Sequence, residues 1–337
     1  MNKKTALVIC PGRGVYNSPE LGYLAKYHKD QKDFIQKIDQ MRGMGGEVTV
    51  SELDSMEKFK PSIHTKGENA ASLIYTCSYC DYQAMSDQYE IVAVTGNSMG
   101  WYTALACGEV LDYAGSFHLI NTMGGMLKDG LIGGQMIYPI VNENWVRDRE
   151  KENFVKNKVN EMGAFISIEF GGYLVIGGED TVLKKLMSEL PEIDRFPMKL
   201  SGNGAFHTPL FGEISAKAKE LISRDSFQKP TLPLIDGQGK IWQPLSTDIN
   251  ALYHYTLETQ VCETYDFTKA VEVGLKEFAP DHIIILGPGT TMGGAVAQIL
   301  IENKWRGLSS KTDFVTTQND EPFVLSMGLE QQRKRVI

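Results

Sequence analysis

The stretch "YEIVAVTGNSMGWYTALACGEV", residues 89 to 110, constrains the fold more than any other part of the chain. A short apolar run closed by a glycine reads as a strand buried on both faces, the habit of parallel sheets. Trp101, Ala104 and Leu105 then recur at helical spacing. The turn between them is a G-x-S-x-G, and strand, tight turn and helix is the setting that lifts a serine onto a sharp elbow as a nucleophile. The order recurs in "HIIILGPGTTMGGAVAQIL", and "TALVICPGRG" supplies another strand and glycine turn. The expected fold class is α/β: an α/β hydrolase-like large domain with a parallel sheet core.

From residue 134 the texture changes. "GQMIYPIV" reads as a strand, "NWVRDREKENFVKNKVNEMG" as an exposed helix, "AFISIEFGGYLVIGGE" as two strands joined by Gly171-Gly172, and "DTVLKKLMSEL" as a helix. A β-α-β-β-α-β order predicts an inserted ferredoxin-like α+β subdomain. The expected organisation is residues 1–133 and 200–306 as the large α/β domain, 134–199 as the small subdomain, and 307–337 as a C-terminal extension. Its ending, "EQQRKRVI", reads as a solvated tail.

Composition narrows the function. No apolar run approaches the ~18 residues that span a bilayer, and "MNKKTALVICPGRG" reads as a first strand and not a signal peptide. A net charge of −8, with no Lys/Arg stripe among aromatics, argues against nucleic acid as a partner. Five cysteines in 337 residues fit reduced thiols and a cytoplasmic setting. Cys77 and Cys80 form a C-x-x-C inside a helical stretch, without a second ligand pair at zinc spacing, and read as packing residues. No metal is expected.

A serine hydroxyl needs a base within hydrogen-bond reach and donors for the oxyanion that forms. His28, His64 and His118 sit in helical or polar stretches and read as packing or surface residues. His207 differs: "GNGAFHTP" puts it on a glycine-rich loop before a proline. "GPGTTMGG" lacks the Lys-Ser/Thr ending of a phosphate-binding loop and reads as a tight packed turn. "CPGRG" ends the first strand, where its N–H groups can face a ligand.

Together these segments resemble the malonyl-CoA:acyl carrier protein transacylase family and the acyltransferase domains of fatty acid and polyketide synthases, over residues from about 5 to about 300. "CPGRG" looks like the family's P-G-Q-G loop, "GNSMGWYTAL" like its G-H-S-x-G-E-Y-x-A-L elbow, "GAFHTPLF" like its A-F-H-S-P-x-M motif and "ILGPGTTMGG" like its E-x-G-P-G turn. "ETQVCETYDFTKAV" resembles the stretch that carries a glutamine. The resemblance implies an acyl-CoA:acyl carrier protein S-acyltransferase, with Ser98 acylated and His207 as general base and then acid. The carbonyl of Gln260 would orient the imidazole, and the backbone N–H groups of Arg13 and Met99 would form the oxyanion hole. It implies no bound cofactor: acyl-CoA is substrate, and the partner is an acyl carrier protein bearing phosphopantetheine.

Departures from the family concern the substrate pocket, assigned to Asn97, Trp101, Met123 and Phe206. Met123 stands where the family places an arginine that pairs with the malonyl carboxylate, which disfavours malonyl and favours an uncharged acyl group. Arg13, in place of the loop glutamine, offers a relocated cation. Phe206 would hinder α-branched groups, while Asn97 and Trp101 replace the family's histidine and glutamate. Two alternatives remain on this scaffold, an acyl-thioester hydrolase and a catalytically silent carrier-docking module. A serine esterase would draw its acid from Asp180 or Asp194.

Overall fold

Long apolar runs set the central sheet, because a strand covered by helices on both faces has no solvent side to make polar. The computed structural model describes residues 3–337. Its strands, in chain order, are β1 (Lys4–Cys10), β2 (Tyr89–Gly96), β3 (Gly134–Pro139), β4 (Phe165–Phe170), β5 (Tyr173–Gly178), β6 (Met198–Leu200), β7 (Leu234–Ile235), β8 (Ile241–Trp242), β9 (Tyr265–Asp266), β10 (His282–Ile285) and β11 (Val324–Ser326).

The larger sheet has the order β11-β10-β1-β2-β7-β8. Neighbours are parallel except the β7–β8 hairpin. Leu7, Val8 and Ile9 at its centre are fully buried, as are Ile284 and Val94 beside them. Cys10 pairs with Gly96, so the loops that follow β1 and β2 leave the sheet side by side. That register brings "PGRG" to the serine turn. The α/β expectation is borne out.

The second sheet has the order β6-β3-β5-β4-β9. Its first four strands, with the helices Arg149–Glu161 and Asp180–Glu189 between them in sequence, have the ferredoxin-like β-α-β-β-α-β order. Val155, Val159, Leu183 and Leu186 from those helices pack on Met136 and Ile176 in a small core of their own. The fifth strand, β9, comes from the chain beyond the insert and lies parallel to β4.

The solvated-tail expectation for residues 330–337 is corrected. β11 extends the large sheet beside β10, and the terminal helix Glu330–Val336 turns inward. Arg333, 3% exposed, places Nη1 2.6 Å from Asp81 Oδ1 on the helix Gly67–Gln83. His28 Nε2 lies 2.9 Å from the same oxygen. A cluster of basic residues reads as solvent-facing in isolation, and its buried carboxylate partner is distant in sequence. Cys77 and Cys80 are buried free thiols on the same helix, and burial pushes both pKa values up.

Candidate active site

The elbow is built by close approach. A Cβ on Gly96 would stand 2.2 Å from the Gly100 carbonyl carbon, and one on Gly100 would stand 2.2 Å from the Cys10 carbonyl oxygen. Only glycine permits these contacts, so the chain can reverse between β2 and the helix Gly100–Cys107 within a few residues. Ser98 sits at the apex with φ 54°, a left-handed conformation that costs a non-glycine residue about 1–3 kcal/mol. Such strain persists where the surroundings over-determine it.

Across the turn, Ser98 Oγ lies 2.7 Å from His207 Nε2. His207 Nδ1 is 2.5 Å from the backbone carbonyl of Gln260. A carbonyl only accepts, so Nδ1 carries the hydrogen and the Nε2 lone pair faces the serine hydroxyl. His207 is 1% exposed, and desolvation draws its pKa down to about 4 against a smaller upward pull from the Gln260 carbonyl. At neutral pH the imidazole is uncharged and able to take a proton. His207 also has a positive φ, 58°, and its N–H donates to Val261 at 2.9 Å.

Gln260 follows a π-helical turn over Tyr255–Thr259, and such turns gather at functional sites. Its side chain is tied on both sides: Nε2 donates to the Ser98 carbonyl at 3.2 Å, and Oε1 accepts from Tyr102 Oη at 2.8 Å. Tyr265 Oη donates to the Gly96 carbonyl at 2.6 Å, with its ring 5.4 Å from the His207 ring. Sequence reading missed both tyrosines as buried aromatics. Tyr102 was findable, since it lies four residues after Ser98 on the same helical face.

The N–H groups of Met99 and Arg13 have no backbone partner among the described residues, as donors reserved for a ligand require. Met99 precedes the first turn of its helix, where the helix dipole favours negative charge. Met123, Phe206 and Arg13 line a cavity of about 30 Å³ with Ser98, His207 and Gln260. Asn97 and Phe206 line a larger cleft of about 300 Å³, between the two sheets, with Ser98 also in its wall. Trp101 departs from expectation. It is fully buried away from both cavities, donates Nε1–H to Thr256 Oγ1 at 3.1 Å and packs edge-on against Tyr255. Three residues beyond the serine, the helix has turned it into the core.

Asp180 pairs with Lys199 at 2.7 Å, and the imidazole Nδ1 is already taken by Gln260, so neither Asp180 nor Asp194 completes an acidic triad. Among the described residues no group of three or more His, Cys, Asp or Glu is placed to hold a metal ion. Among the described residues no helix is long and apolar enough to cross a membrane.

No protein-family model matches the sequence. Solved structures match over its whole length: the malonyl-CoA:acyl carrier protein transacylase of Synechocystis sp. PCC 6803 superposes with a TM-score of 0.76 at 16% identity, covering 99% of this chain and 100% of that one. The chain has the malonyl-CoA:acyl carrier protein transacylase fold. A malonyl-transacylase solved in complex with its type II polyketide synthase acyl-carrier protein has the same transacylase fold, with a TM-score of 0.71, 17% identity, and 88% and 93% of the two chains covered. In sequence, the chain is 25% identical over 164 residues to the polyketide biosynthesis acyltransferase homolog PksD of Bacillus subtilis (strain 168). That match spans 48% of this chain and 48% of PksD, about half the length of the relative. The resemblance read from the motifs is therefore borne out, and the transacylase fold is the frame in which the Ser98 site sits.

Proposed function

We propose that this chain is an acyltransferase that moves an acyl group from coenzyme A, through an ester on Ser98, to the phosphopantetheine thiol of an acyl carrier protein. The observation that carries the reading is the line Ser98 Oγ, His207 Nε2, His207 Nδ1, Gln260 carbonyl, at 2.7 and 2.5 Å. The chemistry follows from it. As Oγ bonds to the thioester carbonyl carbon, its proton passes to His207 Nε2. The carbonyl oxygen gains charge and is met by the N–H groups of Met99 and Arg13. Collapse breaks the C–S bond, and coenzyme A leaves as a thiol with the proton from the imidazolium.

In the second half the carrier's thiol gives its proton to Nε2 as sulfur attacks the ester carbonyl. The C–O bond breaks, and Oγ recovers the proton. A thiol with a pKa of about 8.5 is an easy leaving group compared with an amine, so the acid need not be strong. A histidine oriented by a neutral carbonyl instead of a carboxylate suits that demand. The cleft of about 300 Å³, walled by Ile137, Ile168, Phe170 and Val175, reaches Ser98 and suits a slender pantetheine arm. The names of the Synechocystis transacylase and of the carrier-bound neighbour support the choice of donor and acceptor.

Intact-mass measurement tests the reading. Mixing with acyl-CoA should add one acyl group, absent in Ser98→Ala, that survives in buffer and clears when holo carrier protein is added. Rapid loss to water would make the chain a thioester hydrolase. Carrier binding without any adduct would make it a docking module.

A further inference from the structure

One short segment holds His207 at three points. The Gln260 carbonyl accepts from Nδ1, the Val261 carbonyl accepts from the His207 backbone N–H, and Tyr265 lays its ring 5.4 Å from the imidazole at an angle of 52°. The first of these is a hydrogen bond to a neutral carbonyl, roughly half as strong as one to a carboxylate. It fixes one ring atom and leaves the ring plane to be set by what packs against it. Phe206, the other ring nearby, is 6.3 Å away and travels with His207 as its chain neighbour.

Tyr265 is clamped in turn. A Cβ on Gly237, in the loop after β7, would stand 2.6 Å from Cδ2 and Cε2 of the tyrosine ring, so only glycine lets the ring lie there. The Gly237 carbonyl accepts from the Asp266 N–H, and its own N–H donates to Tyr255 Oη, both at 2.7 Å. At its far end Tyr265 Oη donates to the Gly96 carbonyl at 2.6 Å, two residues before the nucleophile. Burial pushes the phenol pKa well above its ordinary value, so the hydroxyl remains a donor and takes no part in proton transfer. One side chain thus touches both the strand end that carries the serine and the ring that serves it.

We propose that Tyr265 is a positioning residue for the transfer: it braces the His207 ring and pins it to the root of the elbow, which holds Nε2 in line with Ser98 Oγ. This rests on the acyltransferase reading above and adds a residue that touches neither donor nor acceptor. Tyr265 lines neither cavity at Ser98, so it acts through the imidazole alone. Displacing a catalytic group by an ångström can cost about 100-fold in rate. The ring also keeps water from one side of the imidazole. The groups that face His207 are Ser98 from the elbow, Gln260 and Tyr265 from its own clamp, and Arg13 and Tyr102 across the small cavity; no carboxylate is among them.

The test follows Ser98 labelling by intact mass in the wild type, Tyr265→Phe and Tyr265→Leu, with acyl-CoA and with an alkyl fluorophosphonate. The second reagent needs the same base but neither coenzyme A nor carrier: Oγ bonds to phosphorus, its proton passes to Nε2, and the P–F bond breaks to release fluoride. Tyr265→Leu should slow both labels roughly 100-fold at pH 7, with the acyl-CoA concentration for half-maximal rate unmoved. Its pH midpoint should rise from near 4 toward 6.5, because water that reaches the imidazole favours the charged form. Tyr265→Phe keeps the ring and loses only the O–H, so its rate should fall roughly two- to tenfold and its midpoint stay low. A Tyr265→Leu that labels at the wild-type rate, or more slowly but with an unmoved midpoint, overturns the inference and leaves Tyr265 as packing. If Tyr265→Leu does not melt cooperatively, Tyr265→Phe decides. The stated fall at an unchanged half-saturating concentration supports the role, and an unchanged rate rejects it. Should the fluorophosphonate label Ser98 while no acyl-CoA does, the acyltransferase reading fails, and the role of Tyr265 is judged on the fluorophosphonate rates.

Discussion

The turn after β2 and the turn after β10 start alike, from a buried parallel strand, a glycine-rich bend and a helix, yet they do opposite work. After β2 the left-handed position is filled by Ser98 at φ 54°, and the turn faces a cleft with His207 across it. After β10 the left-handed position is filled by Gly289 at φ 74°, and the turn is plugged. Asp81 Oδ2 accepts the Gly287 N–H at 2.7 Å, and Tyr23 Oη lies 1.9 Å from where a Gly287 Cβ would be. The bend is a local property of the sequence. Whether it becomes a reactive site or a bolt depends on what packs against it.

The sharpest test of that contrast is chemical. Ser98→Ala and His207→Ala should each slow acylation by at least ~10⁴-fold, as removal of a nucleophile or its base does elsewhere, with cooperative unfolding retained. Rapid-quench labelling and a thermal melt measure the two. The second turn should behave inversely. Asp81→Ala leaves Arg333 buried without its partner and should destabilise the fold by about 3–5 kcal/mol in urea titration, while the folded fraction still labels at a rate within a few-fold of wild type. A large loss of labelling in the folded fraction would erase the distinction between the turns.

A third test uses pH. The folded pKa of His207, about 4, lies below the ordinary histidine value of 6.5, so the unfolded chain binds the proton first. Its contribution, about 3 kcal/mol, is whole above pH ~6.5 and is lost as pH falls from there toward 4. Urea titrations at pH 7 and pH 5 should show this fall in wild type and a smaller one in His207→Ala. Labelling should stay flat down to pH ~5 and drop only near 4, whereas an ordinary histidine would lose half its activity near 6.5. The smallest effect belongs to Tyr102→Phe, which frees Gln260 Oε1 and should cost about 1 kcal/mol, read as a several-fold slower labelling rate.

These contrasts also show what was legible in the sequence. Ser98 and His207 could be named because each lies in a short motif with its own turn chemistry, Gln260 only through the family resemblance, and the structure brings all three together. The ferredoxin-like order was legible because its strands and helices alternate with clear periodicity. Arg333 was not, since its partner Asp81 lies 252 residues away and nothing local marks a basic residue for burial. Trp101 was misplaced because nearness to Ser98 along the chain is not nearness to its hydroxyl once a helix intervenes.

β9 carries a mechanical consequence. It follows Gln260 closely in the chain, yet it is hydrogen-bonded to β4 at the margin of the other sheet, Ile168 against Tyr265 and Glu169 against Asp266. The segment that aims the imidazole is therefore stitched to the opposite wall of the cleft. Widening the gap along that seam would tug the Gln260 carbonyl away from His207 Nδ1 and let the base swing out of line. The alignment of the imidazole and the width of the cleft are thus linked through one short strand.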